Sequence, residues 1–157
     1  MRLILTLPII ALAGCSTPSF QGPFGPASAP PIAAPAPTLN PAPPPPPPQN
    51  AVTVEQFDTT SAEDRAAAVA SAPAGAQALG TTIATLGSPA EAGIWLKTPL
   101  VTQLRQGRVE YQGKSINIEL RPSGGAAGSG SQISLAAMRL IAAPLTSLPE
   151  LTVFALP

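Results

Sequence analysis

The chain has 157 residues, with eight Lys or Arg, eight Asp or Glu and no histidine, so its formal net charge is zero. The absence of histidine excludes His-based acid–base catalysis, Ser-His and Cys-His nucleophiles, and nearly every usual zinc site. A balanced charge gives no electrostatic footprint for nucleic acid. We therefore expect no metal, no cofactor and no nucleic-acid partner.

The first 14 residues have the pattern of an export signal. Met1 and Arg2 form a small basic start, and residues 3–13 are almost entirely apolar. This run is too short to cross a bilayer, which needs about 20 helical residues, but it suits the apolar region of a signal peptide. The tetrad Leu12-Ala13-Gly14-Cys15 then leads into the only cysteine.

This tetrad resembles the lipobox of bacterial lipoprotein precursors. The resemblance implies that Cys15 receives a diacylglycerol, that residues 1–14 are removed, and that the new amino group is acylated. Ser16 stands where Asp would favour the inner membrane, so we expect a lipid anchor on the periplasmic face of the outer membrane. The alternatives are an ordinary signal peptide and a buried apolar segment with an incidental cysteine.

Residues 15–50 predict a lipidated N-terminus followed by a disordered linker rich in Pro and Ala. The chain has 22 prolines, and most of them lie between Pro18 and Pro48. No charged residue occurs between Arg2 and Glu55. Proline fixes φ and lacks an N–H, so we expect an extended tether. Fully stretched, it could span on the order of 100 Å. The alternative is a docking ligand for an aromatic groove.

Residues 51–78 predict a polar segment with one short Ala-rich helix. The sequence starting at Thr60 has the spacing of a capping box, with Glu63 three residues later. We therefore expect Thr60 to be the N-cap of a helix over residues 61–71. Its apolar face is mostly methyl groups, so it should bury little area.

Residues 79–157 predict a small β-rich domain. Ile116, Ile118 and Leu120 alternate with polar residues, so that strand should have one buried and one wet face. Ser134 can cap a second helix, ending near residue 142. A loop is expected over residues 122–131, and strands are expected over residues 81–86, 94–101, 108–111, 114–120 and 151–156.

Three segments of this region resemble the double-psi β-barrel of rare lipoprotein A and expansin-like proteins, which act on or bind cell-wall glycans. They are Gly107–Val109, Gly113–Leu120 and Gly130–Ala137. The resemblance implies a mainly β fold, a small double-psi β-barrel-like domain with one or two short helices. Pro122 and Ser134 align with the acidic positions of that family. Since glycan cleavage needs a carboxylic acid, we expect no catalytic residue and no enzymatic activity. Glu110 and Glu119 are interpreted as solvated strand residues.

The whole chain is also similar to small lipoproteins of marine and photosynthetic alphaproteobacteria, some of which carry a sugar-acid dehydratase name. Such chemistry requires a metal or an iron–sulfur site. A chain with no histidine and no cysteine besides Cys15 offers no ligands for one. The residues therefore do not support that name.

Two residues are candidates for ligand contact. Trp95, the lone tryptophan, could stack on a sugar ring, with a core or rim position as the alternative. Arg121 follows the strand that carries Glu119. The Gly-rich stretch 124–130 lacks the lysine of a phosphate-binding loop and is interpreted as a flexible loop.

The hypothesis that follows is a lipid-anchored envelope protein with a structural or interaction role. Its partners would be the membrane, through the lipid, and peptidoglycan or an envelope protein. The alternatives are a peptidoglycan-active enzyme of the rare lipoprotein A kind and a small-ligand-binding lipoprotein.

Overall fold

The computed structural model of the protein describes residues 42–157, so the predicted signal, the lipobox and most of the predicted linker lie outside the described residues. The described part contains three short helices and six strands. The helices are α1 (Val54–Phe57), α2 (Ala62–Val69) and α3 (Leu135–Leu140). The strands are β1 (Gln77–Leu86), β2 (Trp95–Thr98), β3 (Arg105–Tyr111), β4 (Lys114–Pro122), β5 (Ser131–Ile133) and β6 (Glu150–Ala155).

The six strands close into a barrel in the order β1-β5-β2-β4-β3-β6. β1 and β5 are parallel, as are β2 and β4, and the other neighbouring pairs are antiparallel. Closure pairs each strand on both sides, which removes the exposed edges of an open sheet. The predicted mainly β, barrel-like domain is confirmed, and the described residues contain three short helices where one or two were expected.

Aliphatic side chains fill the barrel, and β4 supplies its centre. Ile116, Ile118 and Leu120 are all buried, as their alternation predicts. They pack with residues of the other strands and of α3, among them Leu96, Val109, Ile133, Met138, Leu151 and Val153. Gly107 of β3 is required for this packing. A Cβ there would overlap the Leu120 side chain and lie 2.7 Å from the Phe154 carbonyl oxygen.

The second predicted helix is present, and its cap is the predicted one. The Ser134 hydroxyl accepts a hydrogen bond from the backbone N–H of Ala137 at 3.3 Å. The helix ends at Leu140 rather than near residue 142, where Ala142 takes a positive φ. β5 was not predicted, because three residues after a Gly-rich loop are too few to display an alternating pattern.

The first Ala-rich helix begins one residue later than its capping pattern predicts. Ser61 is the N-cap, and its hydroxyl accepts from the Asp64 N–H at 3.0 Å. The prediction of Thr60 as the cap is wrong: Thr60 is buried, and its Oγ1 has no hydrogen-bond partner in the described part of the chain. A capping box does occur one helix earlier, between Thr53 and Gln56.

The outer face of β4 was predicted to be wet, but α2 covers part of it. Asn117 is 6% exposed, and its Nδ2 donates to the carbonyl oxygens of Ala67 and Ala70, both at 3.2 Å. Arg108 adds a hydrogen bond from Nη1 to the Ala70 carbonyl at 3.3 Å. Because Ala67 and Ala68 are buried, this helix packs closely against the barrel.

Asp58 fixes the segment before α2 to the barrel. Its side chain is 3% exposed and pairs with Arg65 at 3.1 Å and Arg139 at 2.9 Å. Its Oδ1 also accepts from the backbone N–H of Thr60 at 3.3 Å. The chain is held even further upstream, since the Thr59 hydroxyl donates to the carbonyl of Pro45 at 2.6 Å. Contacts with the domain therefore reach back to Pro45.

Replacing the two hydroxyl residues at the start of α2 should separate their roles. Ser61→Ala should lower the free energy of unfolding by about 1 kcal/mol, because it removes the N-cap acceptor. Thr60→Val should leave this free energy unchanged or slightly higher, because the lost hydroxyl makes no hydrogen bond. Urea unfolding of the full chain would measure both, and a larger loss for Thr60→Val would contradict this assignment.

Candidate functional site

An open groove of about 510 Å³ lies beside the Gly-rich loop that joins β4 to β5. Two large apolar side chains are exposed in it, Ile83 at 56% and Leu148 at 65%. Gly124, Gly128 and Gly130 take positive φ values, which only glycine adopts readily. The lining residues are Ile83, Thr85, Lys97, Ser123, Gly125, Gly128, Ser129, Gly130, Ser131, Gln132 and Leu148.

The chemistry of this groove suits binding. Ile83 and Leu148 offer apolar contact, and Lys97 supplies a cation whose side chain is 35% exposed. Hydroxyl and amide groups make up the polar part, although the Thr85 hydroxyl already donates to the Ser131 carbonyl at 3.3 Å. No carboxylate is among the described residues that line the groove.

Charged side chains form a cluster next to the groove. Arg121 contacts two carboxylates, with Nη1 2.6 Å from Glu91 and Nε 2.5 Å from Glu119. Lys97 lies 3.5 Å from the other oxygen of Glu91. Both cations also lie over the ring of Trp95, Lys97 at 5.3 Å and Arg121 at 5.2 Å from its centroid. Lys97 therefore joins this cluster to the groove.

The structure brings the two predicted contact residues together but leaves only one of them accessible. Trp95 is fully buried, and its Nε1 donates to the Glu91 carbonyl at 3.1 Å. A Cβ on Gly87 would overlap the ring, so the backbone of residue 87 packs directly on it. The Arg121 side chain is 25% exposed. A ligand could contact Arg121, but it could reach the indole of Trp95 only if the residues that cover the indole were displaced.

The two positions that align with acidic residues of the resembled family have different environments in the structure. Pro122 is the exposed last residue of β4. Ser134 is fully buried, and its Oγ accepts from the backbone N–H of Trp95 at 3.2 Å as well as from that of Ala137. Ser134 therefore fastens α3 to β2. Glu110 is exposed on β3, whereas Glu119 is held by Arg121.

Sequence reasoning missed Glu91, Ile83 and Leu148. Glu91 lies in the connection between β1 and β2, where no periodic pattern marks it. Ile83 belongs to a predicted strand, but alternation alone does not show that its outward face borders a groove. Leu148 precedes β6 in a stretch without regular structure.

Within residues 42–157, no group of three or more His, Cys, Asp or Glu side chains is placed to hold a metal ion. The same residues contain no helix with the length and apolar character needed to span a membrane. Comparisons with protein-family models, with curated proteins and with solved structures found no match.

The cover over Trp95 can be tested by fluorescence, because the chain has a single tryptophan. Arg121→Ala should make its emission more sensitive to quenching by acrylamide and should lower the free energy of unfolding by about 1 kcal/mol. Lys114→Ala is the matched control, since Lys114 is an exposed cation at the β3–β4 turn. Equal quenching in Arg121→Ala and the unchanged chain would contradict the role of Arg121 as a cover.

Proposed function

We propose that this chain is a lipid-anchored envelope protein that presents its barrel to the periplasm and acts by binding rather than by catalysis. The groove beside the Gly-rich loop is the observation that carries the proposal. It combines exposed Ile83 and Leu148 with Lys97 on a closed barrel. Loops held on such a scaffold are where binding residues concentrate. Its partner is peptidoglycan or an envelope protein.

The state of the acidic residues supports a binding role. Glycoside cleavage needs a carboxylic acid beside the scissile bond, usually with a second carboxylate. Glu91 and Glu119 are held by Arg121, and Asp58 is buried between two arginines. These contacts stabilise the fold and leave the groove without an acid among its described lining residues.

The proposed anchor rests on the tetrad that ends in Cys15 and on the proline-rich sequence after it. Two or three acyl chains hold a protein stably to a bilayer, whereas one is marginal. Transfer of a diacylglyceryl group to the Cys15 sulfur, followed by removal of residues 1–14 and acylation of the new amino group, would therefore suffice without a membrane span.

Cys15→Ser should abolish the anchor. We expect the variant to lack the mass of the attached lipid and to be absent from the detergent-soluble membrane fraction, because the serine hydroxyl does not replace the thiol as the lipid acceptor. Ser16→Ala is the control and should keep both properties. Mass spectrometry and envelope fractionation measure the outcome. If Cys15→Ser kept the mass of the attached lipid and still partitioned with the membrane, the anchor would be refuted.

The groove can be tested in intact envelopes with a photo-crosslinking amino acid at single positions. Placed at Leu148 it should capture peptidoglycan fragments or one envelope protein. Placed at Leu104, which is similarly exposed (64%) but lies in a different surface region, it should not. Identical products from both positions would contradict the groove as the interaction surface. Release of soluble muropeptides from purified sacculi by the protein would instead favour a wall-active enzyme.

A further inference from the structure

The proline run before the first helix follows a regular pattern of burial. Pro44 and Pro47 are partly buried, whereas Pro43, Pro45, Pro46 and Pro48 are exposed. The spacing of three equals the repeat of a polyproline II helix, which has three residues per turn and turns one edge toward a surface. Residues 43–48 therefore have one edge against the domain.

The domain provides specific contacts for that edge. Proline has no N–H, so its carbonyl oxygen is the only backbone group through which it can hydrogen-bond. The Thr59 hydroxyl donates to the carbonyl of Pro45 at 2.6 Å. Pro44 lies against Gly93, where an added Cβ would be 3.5 Å from its Cδ. Pro43 and Pro44 border a small cavity of about 40 Å³ together with Ile94.

The donor is held in place by the fold rather than by the prolines. Its neighbour Asp58 pairs with Arg65 and Arg139, and the N-cap Ser61 begins α2 two residues later. The backbone N–H of Thr59 also donates to the Phe57 carbonyl at 3.2 Å. A fixed donor that meets a stiff polyproline segment loses little conformational entropy on contact.

We propose that Thr59, Gly93 and Ile94 form a polyproline-binding surface and that residues Pro43–Pro48 of the same chain occupy it. This surface shares no lining residue with the groove of the proposed function, and neither proposal depends on the other. The occupant is covalently attached, so its effective concentration is in the millimolar range or above. A proline-rich segment of another molecule binds only after this one leaves.

Two double variants of the full chain test the contact. Pro44→Ala with Pro47→Ala removes the partly buried edge, and Pro45→Ala with Pro46→Ala removes two exposed rings. Each double variant replaces two prolines by alanine and so raises the conformational entropy of the unfolded chain by a similar amount. This effect cancels when the two variants are compared. We expect the first pair to lower the Tm by about 3–6 °C more than the second. Equal Tm values would overturn the proposal.

A labelled peptide with the sequence of residues 42–50 tests the surface itself by fluorescence anisotropy. A full chain in which residues 43–48 are replaced by alternating Gly and Ser should bind this peptide about 10-fold more tightly than the unchanged chain, whose own segment competes. Adding Thr59→Val should abolish the gain, whereas Thr59→Ser should retain it. Equal peptide binding by the replaced and unchanged chains would overturn the proposal.

Discussion

The buried amide of Asn117 is the contact on which the N-terminal part of the described structure depends. On the outer face of β4, its Nδ2 donates hydrogen bonds to carbonyl oxygens at the C-terminal end of α2. These bonds are needed because α2 has only eight residues, is rich in alanine, and buries too little surface to be held by apolar contact alone. With α2 fixed, Ser61 and Thr59 acquire fixed positions. Thr59 can then hold the Pro45 carbonyl. The order of the chain back to the proline run therefore depends on Asn117 together with the ion pairs of Asp58.

Several strands and the last helix could be predicted from local patterns because their determinants are local, whereas the barrel was an expectation from the family resemblance. Ile116, Ile118 and Leu120 show their common face in the sequence, and Ser134 shows its cap before an apolar stretch. The cap at Ser61 could not be distinguished from one at Thr60, since both have an acidic residue three positions later. The neighbouring carboxylate of Asp58, which orders the backbone at Thr60, is visible only in three dimensions.

The candidate site was harder to predict, because it is assembled from distant parts of the chain. Trp95 and Arg121 stood out as rare or charged residues, and they do meet. The residue that joins them, Glu91, comes from a connection with no pattern. The burial of Asn117 was missed for a related reason: a polar residue on the outward side of a strand gives no sign that a helix from another segment lies over it.

The partly buried prolines also bear on how the molecule responds to mechanical load. Tension arriving from the N-terminal side meets the hydrogen bond between Thr59 and Pro45 before it reaches Gln77, the first residue of β1. Releasing the proline segment breaks this single hydrogen bond, whereas opening the barrel requires β1 to separate from both β5 and β6. The proline segment would thus yield first and protect the sheet from being pulled apart.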